Sequence, residues 1–194
     1  MKPIICLFVL LVTTSIWAQS PLEPFVADEH TQLLYNFDEQ QGDVVKDLSG
    51  HEMTGEIQGA RWDKDGRFGG AMWFDGTNDS VFVKDPQALM GLKQITVECW
   101  FKQEASWGRR FMIGHDVGFH FEIDDNSLSS ISLYNEGGAV NNSEGKPHQQ
   151  VAMTCGSYRP YKWHHSAITY DGQTVSFFMD GQLKGRRPGP KDFT

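Results

Sequence analysis

The sequence is poor in cysteine and in basic residues, and it has no long apolar segment after its first residues. Its 194 residues include 3 Cys, and 17 Lys+Arg stand against 25 Asp+Glu, for a formal net charge of −8. Three cysteines are too few for a disulfide-dense scaffold. The acidic balance argues against a nucleic-acid partner, because phosphate neutralisation needs a basic surface. Motifs of zinc peptidases, phosphate loops and serine hydrolases are also missing from the sequence.

The first 18 residues have the three parts of a secretory signal. Lys2 supplies the positive charge, Ile4 to Val12 is an unbroken apolar run, and Ala18 is a small residue at a cleavage point. The apolar run is about half of the ~20 residues that a membrane-spanning helix needs. We therefore predict cleavage after Ala18, a secreted protein (extracellular or periplasmic), and no membrane span.

Removal of residues 1–18 leaves two cysteines, because Cys6 lies in the signal. Cys99 and Cys155 can form one disulfide in an oxidising compartment. The alternative is a pair of buried thiols.

Residues 32–194 have the pattern of antiparallel β-structure, and residues 19–31, with two prolines and no period, form a lead-in. Short runs of alternating apolar and polar residues are separated by clusters of Gly, Asp and Asn. Ten or more such strands in a chain of this length predict an antiparallel sandwich or barrel.

The strongest predicted strand is Ile95 to Lys102, whose apolar face should lie in the core and bury Cys99. Asp-Gly pairs at 171–172 and 180–181 predict hairpins near the end of the chain, and residues 75–79 predict another between 71–74 and 80–83. The polar, Gly-rich stretch 135–146 is predicted to be a long exposed loop.

Five blocks in order resemble the laminin-G-like, concanavalin A-like jelly-roll domains. They are residues 34–39 with 45–51, residues 68–76, residues 78–83, residues 95–102 and residues 163–172. The resemblance implies a two-sheet antiparallel jelly roll, in a family of mostly non-catalytic recognition modules on secreted or surface proteins. The family usually continues past the last hairpin with further strands. We therefore expect the domain at 32–194 to be C-terminally truncated and part of a larger multidomain parent chain, with a partner strand from another chain as the alternative.

One strand carries the best catalytic candidates, His120, Glu122 and Asp124, which share a face. Laminarinase-type hydrolases of this fold use E-x-D-x-x-E on a strand, and Glu122 with the aspartate at 124 matches the first half. Ser127 stands at the position of the second Glu, and retaining hydrolysis needs two carboxylates about 5–5.5 Å apart. We therefore predict no catalytic residues. His164 and His165 cannot readily chelate one ion, because adjacent strand residues point to opposite faces.

A structural calcium ion is expected at Asp47 and Asp79, because jelly-roll modules often carry one and hard cations prefer carboxylates and loop carbonyls. Asp75 and Asn78 are alternates. Ordinary turn chemistry also favours Asp and Asn at these positions.

Ligand binding is predicted for three loop aromatics, Trp107, Tyr158 and Tyr161. Together these features predict a secreted, non-catalytic recognition module that binds carbohydrate, either a glycan or a surface glycoprotein. A protein-adhesion module and a glycoside hydrolase of the laminarinase type are the alternatives.

Overall fold

Antiparallel β-strands make up nearly all regular structure in the described part of the protein. The computed structural model describes residues 4–11, 23–84, 89, 92–104, 110–114, 119–123, 128–133, 140–141, 147–154 and 158–189. Sixteen strands occur in this part of the chain. They are β1 (Ile4–Leu11), β2 (Thr31–Tyr35), β3 (Val44–Val45), β4 (Gly55–Gln58), β5 (Arg61–Asp63), β6 (Ala71–Phe74), β7 (Ser80–Val83), β8 (Ile95–Gln103), β9 (Arg110–Gly114), β10 (Phe119–Ile123), β11 (Leu128–Leu133), β12 (Val140–Asn141), β13 (Pro147–Thr154), β14 (Trp163–Tyr170), β15 (Thr174–Met179) and β16 (Gln182–Pro188).

The strands form three sheets. An eight-stranded sheet has the order β16-β15-β14-β8-β1-β6-β5, with β2 also paired to β1. A five-stranded sheet has the order β12-β13-β11-β10-β9, and a three-stranded sheet has the order β3-β4-β7. The predicted all-β antiparallel sandwich is confirmed.

Strand β8 is buried on both faces. Its inner face carries Val97, Cys99 and Phe101, which are fully buried in the main core. The buried Cys99 confirms the predicted core face. Val151 of β13 joins this core and Ile113 of β9 packs against it, so the five-stranded sheet covers the inner face.

The outer face of β8 is buried as well, which the alternating pattern did not predict. Thr96, Glu98 and Trp100 on this face are each 5% exposed or less. Phe68 meets the Trp100 ring edge-on at 5.6 Å, and Phe25 of the lead-in lies 6.0 Å from the His165 ring on neighbouring β14. Residues outside the strands therefore cover the outer face of β8, although this face carries polar side chains.

The last three strands follow the sequence closely. The observed strands β14 and β15 match the predicted runs, and Asp180 and Gly181 between β15 and β16 both have positive φ, at 51° and 73°. Positive φ at both central residues is the geometry of a type I′ turn, which joins the two strands of a two-residue hairpin.

The predicted hairpin between 71–74 and 80–83 is wrong. Both segments are strands, but β6 pairs with β5 and β1, whereas β7 pairs with β4 in another sheet. The loop is still closed, because the Asp79 carboxylate accepts the Asp75 N–H at 2.7 Å. Turn residues close a loop in the same way whether or not the flanking strands pair with each other.

Two further strands differ from the expectation. The predicted loop at 135–146 contains the short strand β12, and the unpredicted β13 pairs with both β12 and β11. The first half of β13 is Pro-His-Gln-Gln, which has no apolar alternation.

A tight interlock joins the end of β2 to the start of β6. Phe37, 2% exposed, has φ 59°, and its carbonyl lies so close to Gly70 that a Cβ there would be 1.9 Å from the oxygen. The Gly70 N–H donates to Asp38 Oδ1 at 2.8 Å, and Asn36 Nδ2 donates to Asp38 Oδ2 at 2.8 Å. These contacts explain why Gly follows Gly in the 68–76 block.

We expect Gly70→Ala to destabilise the protein by about 3 kcal/mol, because a methyl group must displace the Phe37 backbone. Gly42→Ala is the matched control: φ is +85° there, but nothing lies within 4 Å of the added Cβ. Strain alone should cost about 1 kcal/mol at Gly42. Equal losses for the two variants in urea unfolding would contradict the interlock.

Candidate functional site

Two of the three predicted ligand-binding aromatics lie at one end of the large sheet, where β8 ends and β14 begins. We call residues 158–163 the terminal platform. Tyr158 packs edge-on against Phe101 at 5.5 Å between ring centroids, and against His164 at 5.5 Å. The platform is therefore fixed to core residues of both strands.

Gln103, the last residue of β8, holds both tyrosines. The Tyr158 hydroxyl donates to Gln103 Oε1, and the Gln103 carbonyl accepts the Tyr161 N–H at 2.8 Å. Gln103 is 2% exposed. One buried residue thus sets the position of a half-buried tyrosine and of an exposed one.

A second anchor is His164, which is nearly buried beneath the platform. Its Nδ1 lies 2.8 Å from Asp180 Oδ2, and its Nε2 lies 3.0 Å from the Arg159 carbonyl. Both partners are acceptors, so only the protonated ring donates to both. The other carboxylate oxygen of Asp180 accepts the His165 N–H at 2.9 Å. The hairpin between β15 and β16 therefore braces the platform backbone.

Tyr161 is the most exposed part of the platform. It is 63% exposed and has φ 65°, a left-handed conformation that is unusual for a tyrosine. Trp163 lies nearby in sequence with its ring 5.4 Å from the ammonium group of Lys102. The Tyr161 ring is therefore exposed to solvent on a backbone that a hydrogen bond to Gln103 holds in place.

Trp107, the third predicted aromatic, lies outside the described residues. It follows the end of β8 by four positions in the sequence, and that end carries the platform. Cys155 also lies outside the described residues, so the Cys99–Cys155 bridge stays a prediction.

The two adjacent histidines occupy opposite faces of β14, as predicted. In the register, His164 is opposite Phe101 and His165 is opposite Trp100. His165 Nε2 lies 3.0 Å from Glu98 Oε2, and both residues are buried. This contact therefore joins β8 and β14 on the outer face of the sheet.

The hydrolase candidates lie in the five-stranded sheet. His120 and Glu122 are alternate residues of β10, with His120 opposite Ser132 and Glu122 opposite Ser130 of β11. Asp124 and Ser127 lie outside the described residues. The backbone thus places the first two on one face of the strand, and the prediction of no catalytic residues stays a prediction.

One known protein family matches this chain. The sequence model of a laminin G family, described as the concanavalin A-like lectin/glucanases superfamily, matches residues 75–194, more than half of the chain. The chain belongs to this superfamily. The superfamily includes both lectins and glycoside hydrolases. Neither the curated proteins nor the solved structures contain a match to the chain.

Among the described residues, no helix is long and apolar enough to cross a bilayer.

Asp47 is a predicted calcium ligand, and its carboxylate organises a turn. Its Oδ1 accepts the N–H groups of Leu34 at 3.1 Å and Ser49 at 2.9 Å. Its Oδ2 accepts the Ser49 hydroxyl at 2.7 Å and the Met53 N–H at 3.1 Å. A cation at Asp47 would have to displace some of these donors, so the residue does not fit a metal ligand in this arrangement.

Asp79 has a similar local role, because it closes the 75–79 loop through the Asp75 N–H. The alternate Asp75 accepts the Thr77 N–H at 2.7 Å, and the other alternate, Asn78, is exposed. In the described part of the chain, no three His, Cys, Asp or Glu residues form a group that could hold a metal ion. Calcium at Asp47 and Asp79 stays a prediction.

Sequence reasoning missed the residues that position the platform: Gln103, His164 and Asp180. Gln103 did leave a signal, because it breaks the apolar series on the inner face of β8. A polar residue that interrupts a core face at a strand end often has a specific partner. The sequence marks Asp180 only as a turn residue, because its contact with β14 depends on strand pairing.

The turn around Asp47 also generates a pH prediction. The Tyr35 hydroxyl donates to the Met53 carbonyl. Burial, together with the carboxylates of Asp47 and Glu39, raises the pKa of Tyr35 above its ordinary value. Since an unfolded tyrosine ionises near pH ~10, the stability contributed by the neutral phenol is complete below that pH and is lost as pH rises above it.

We expect wild-type stability to fall above pH ~10 by up to about 1.4 kcal/mol per pH unit more than that of Tyr35→Phe. At neutral pH the variant should be about 1 kcal/mol less stable, because the Met53 carbonyl loses its donor. Urea unfolding at pH 7, 10 and 11 measures both effects. Parallel stability curves for the two proteins above pH 10 would contradict the assignment.

Proposed function

We propose that the protein is an exported, non-catalytic recognition module that binds carbohydrate at the terminal platform. The observation that carries the proposal is Tyr161, an exposed aromatic ring whose backbone is tied to the buried end of β8. Loops on a rigid scaffold are the usual place for recognition residues. The superfamily membership supports a recognition role at a coarse level.

The chemistry around Tyr161 suits a sugar. A pyranose has an apolar C–H face, which complements an aromatic face, and hydroxyl groups, which need donors and acceptors at its rim. Arg159 and Lys162 are exposed beside Tyr161 in the sequence and can supply donors. Trp107, close in sequence to the same end of β8, is proposed as a second stacking ring.

Binding without hydrolysis is favoured by the carboxylates near the platform. Hydrolysis of a glycosidic bond needs one carboxyl group as acid and a second as nucleophile or base. Asp180 lies behind the platform and contacts His164 and His165, and both of its oxygens already accept hydrogen bonds. Export after Ala18 and a Cys99–Cys155 disulfide complete the proposal.

We expect Tyr161→Ala to reduce glycan affinity about tenfold or more, which corresponds to ~1.4 kcal/mol of lost stacking. The melting temperature should change little, because the side chain is mostly in solvent. Phe82→Ala is the matched control, since Phe82 is 51% exposed on β7 of the three-stranded sheet. A glycan array followed by calorimetric titration of the best ligand measures the effect.

Equal affinity of wild type, Tyr161→Ala and Trp107→Ala would exclude the platform as the glycan site. Capture of a surface protein without affinity for any glycan would favour the adhesion alternative. Turnover of β-glucans that is abolished in Glu122→Gln would show a hydrolase and overturn the proposal.

A further inference from the structure

His164 connects the terminal platform to the hairpin between β15 and β16, and it uses both ring nitrogens to do so. Its Nδ1 lies 2.8 Å from Asp180 Oδ2, and its Nε2 lies 3.0 Å from the Arg159 carbonyl oxygen. A carboxylate and a carbonyl can only accept hydrogen bonds. Both contacts are therefore hydrogen bonds only when both nitrogens carry a proton, which is the state in which the imidazole ring is positively charged.

Loss of one proton leaves a bare ring nitrogen against one of the two acceptors. The charged carboxylate of Asp180 is the stronger acceptor, so the neutral ring keeps its remaining proton on Nδ1. The Nε2 lone pair then faces the Arg159 oxygen, 3.0 Å away, and that oxygen loses its donor. The neutral ring therefore keeps its contact with the hairpin and breaks its contact with the platform.

The contact that is broken lies two residues before Tyr161. Hydrogen bonds hold the backbone on both sides of Pro160, because the Arg159 carbonyl accepts from His164 and the Tyr161 N–H donates to the Gln103 carbonyl at 2.8 Å. Proline has no N–H with which to add a third bond. Tyr161 itself has φ 65°, a conformation that a tyrosine keeps only when its surroundings impose it. Loss of one of these two bonds lets the strained backbone relax and moves the exposed ring.

The groups that surround His164 come from three described elements. The hairpin contributes Asp180, the platform contributes Tyr158 and the carbonyl of Arg159, and β8 contributes the uncharged ring of Phe101. Carboxyl, guanidinium and phenol groups ordinarily keep one charge state between pH ~5 and ~8, whereas imidazole ordinarily changes its charge in that range. Within the described residues, His164 is therefore the group of this cluster that responds to pH.

We propose that His164 is a pH-sensitive positioning residue of the terminal platform: its second ring proton holds Arg159 and Tyr161 in the binding arrangement, and loss of that proton lowers glycan affinity. Affinity is therefore highest in mildly acidic solution and falls as pH rises through the range in which histidine side chains lose their proton, roughly pH 5 to 8. The consequence for binding rests on the proposed function, whereas the consequence for the platform backbone does not.

The first measurement needs no ligand. Long-range proton–nitrogen NMR spectra distinguish the doubly protonated ring from its neutral tautomers, and hydrogen exchange gives the protection factor of the Tyr161 amide. We expect the wild-type His164 ring to carry protons on both nitrogens at pH 5 and on Nδ1 alone at pH 8. The protection factor of the Tyr161 amide should fall about fivefold over the same range, the size expected for one hydrogen bond.

The second measurement is glycan affinity by calorimetric titration at pH 5, 6, 7 and 8. The probe is the uncharged oligosaccharide with the highest affinity on a glycan array, so that the probe itself does not titrate. Wild-type affinity should fall about fivefold from pH 5 to pH 8, in parallel with the protection of the Tyr161 amide.

Asp180→Asn separates this role from a purely structural one. The amide nitrogen of asparagine can donate to the bare Nδ1 of a neutral ring, which then donates from Nε2 to the Arg159 carbonyl. The amide oxygen still accepts the His165 N–H, which Asp180 Oδ1 accepts at 2.9 Å. Asparagine also tolerates the φ of 51° at this position. We expect the variant to lose the pH dependence of protection and affinity, and to bind more tightly than wild type at pH 8.

His30→Gln is the matched control, because His30 is an exposed histidine of the lead-in, and its pH profile should follow that of wild type. The proposal would be overturned by a neutral His164 ring at pH 5, by wild-type protection of the Tyr161 amide that does not change with pH, or by the same pH profile in wild type and Asp180→Asn. Glycan affinity that stays constant while the platform responds to pH would also overturn it. A pH-sensitive platform that binds no uncharged glycan at any pH would support the positioning role and contradict the proposed function instead.

Discussion

The backbone pairing of β8 with β14 is the interaction on which the rest of the structure depends. It aligns Ile95 with Tyr170 at one end and Lys102 with Trp163 at the other, so that the inner face forms the core and the outer face brings Glu98 close to His165. The same register brings the end of β8 beside the start of β14, where Gln103 holds Tyr158 and Tyr161. The core, the buried contact between Glu98 and His165, and the candidate site are therefore consequences of one strand pair.

The parts of the fold that the sequence predicts are those with local signals. Alternation identifies β8, β14 and β15, and Asp180-Gly181 identifies a hairpin because few residues accept its positive φ. The sequence does not predict which strands pair with each other. The 75–79 loop contains ordinary turn residues, yet its flanking strands belong to different sheets. β13 begins with four residues that have no apolar alternation, and its position depends on its ladders with β11 and β12.

The candidate site also contains some residues that the sequence identifies and others that only strand pairing identifies. Tyr158 and Tyr161 are recognisable as loop aromatics, whereas Gln103, His164 and Asp180 become meaningful only when strand pairing brings them together. Asp47 shows that a residue can be recognised in the sequence while its role is not. An aspartate in a Gly- and Ser-containing turn has the same sequence signal whether it binds a cation or caps backbone N–H groups, and here four donors surround its carboxylate. Residue type alone does not separate these roles.

The central claim, that the end of β8 positions a glycan-binding platform, is tested most directly by the glycan affinity of Gln103→Met. Methionine keeps the side-chain volume and removes the acceptor of the Tyr158 hydroxyl, while the backbone carbonyl that binds the Tyr161 N–H remains. The substitution also removes the amide nitrogen of Gln103, a buried atom without a hydrogen bond within the described residues, so stability should change by less than about 1 kcal/mol. The account predicts a several-fold loss of affinity at nearly unchanged melting temperature. Wild-type affinity in the folded variant would contradict it.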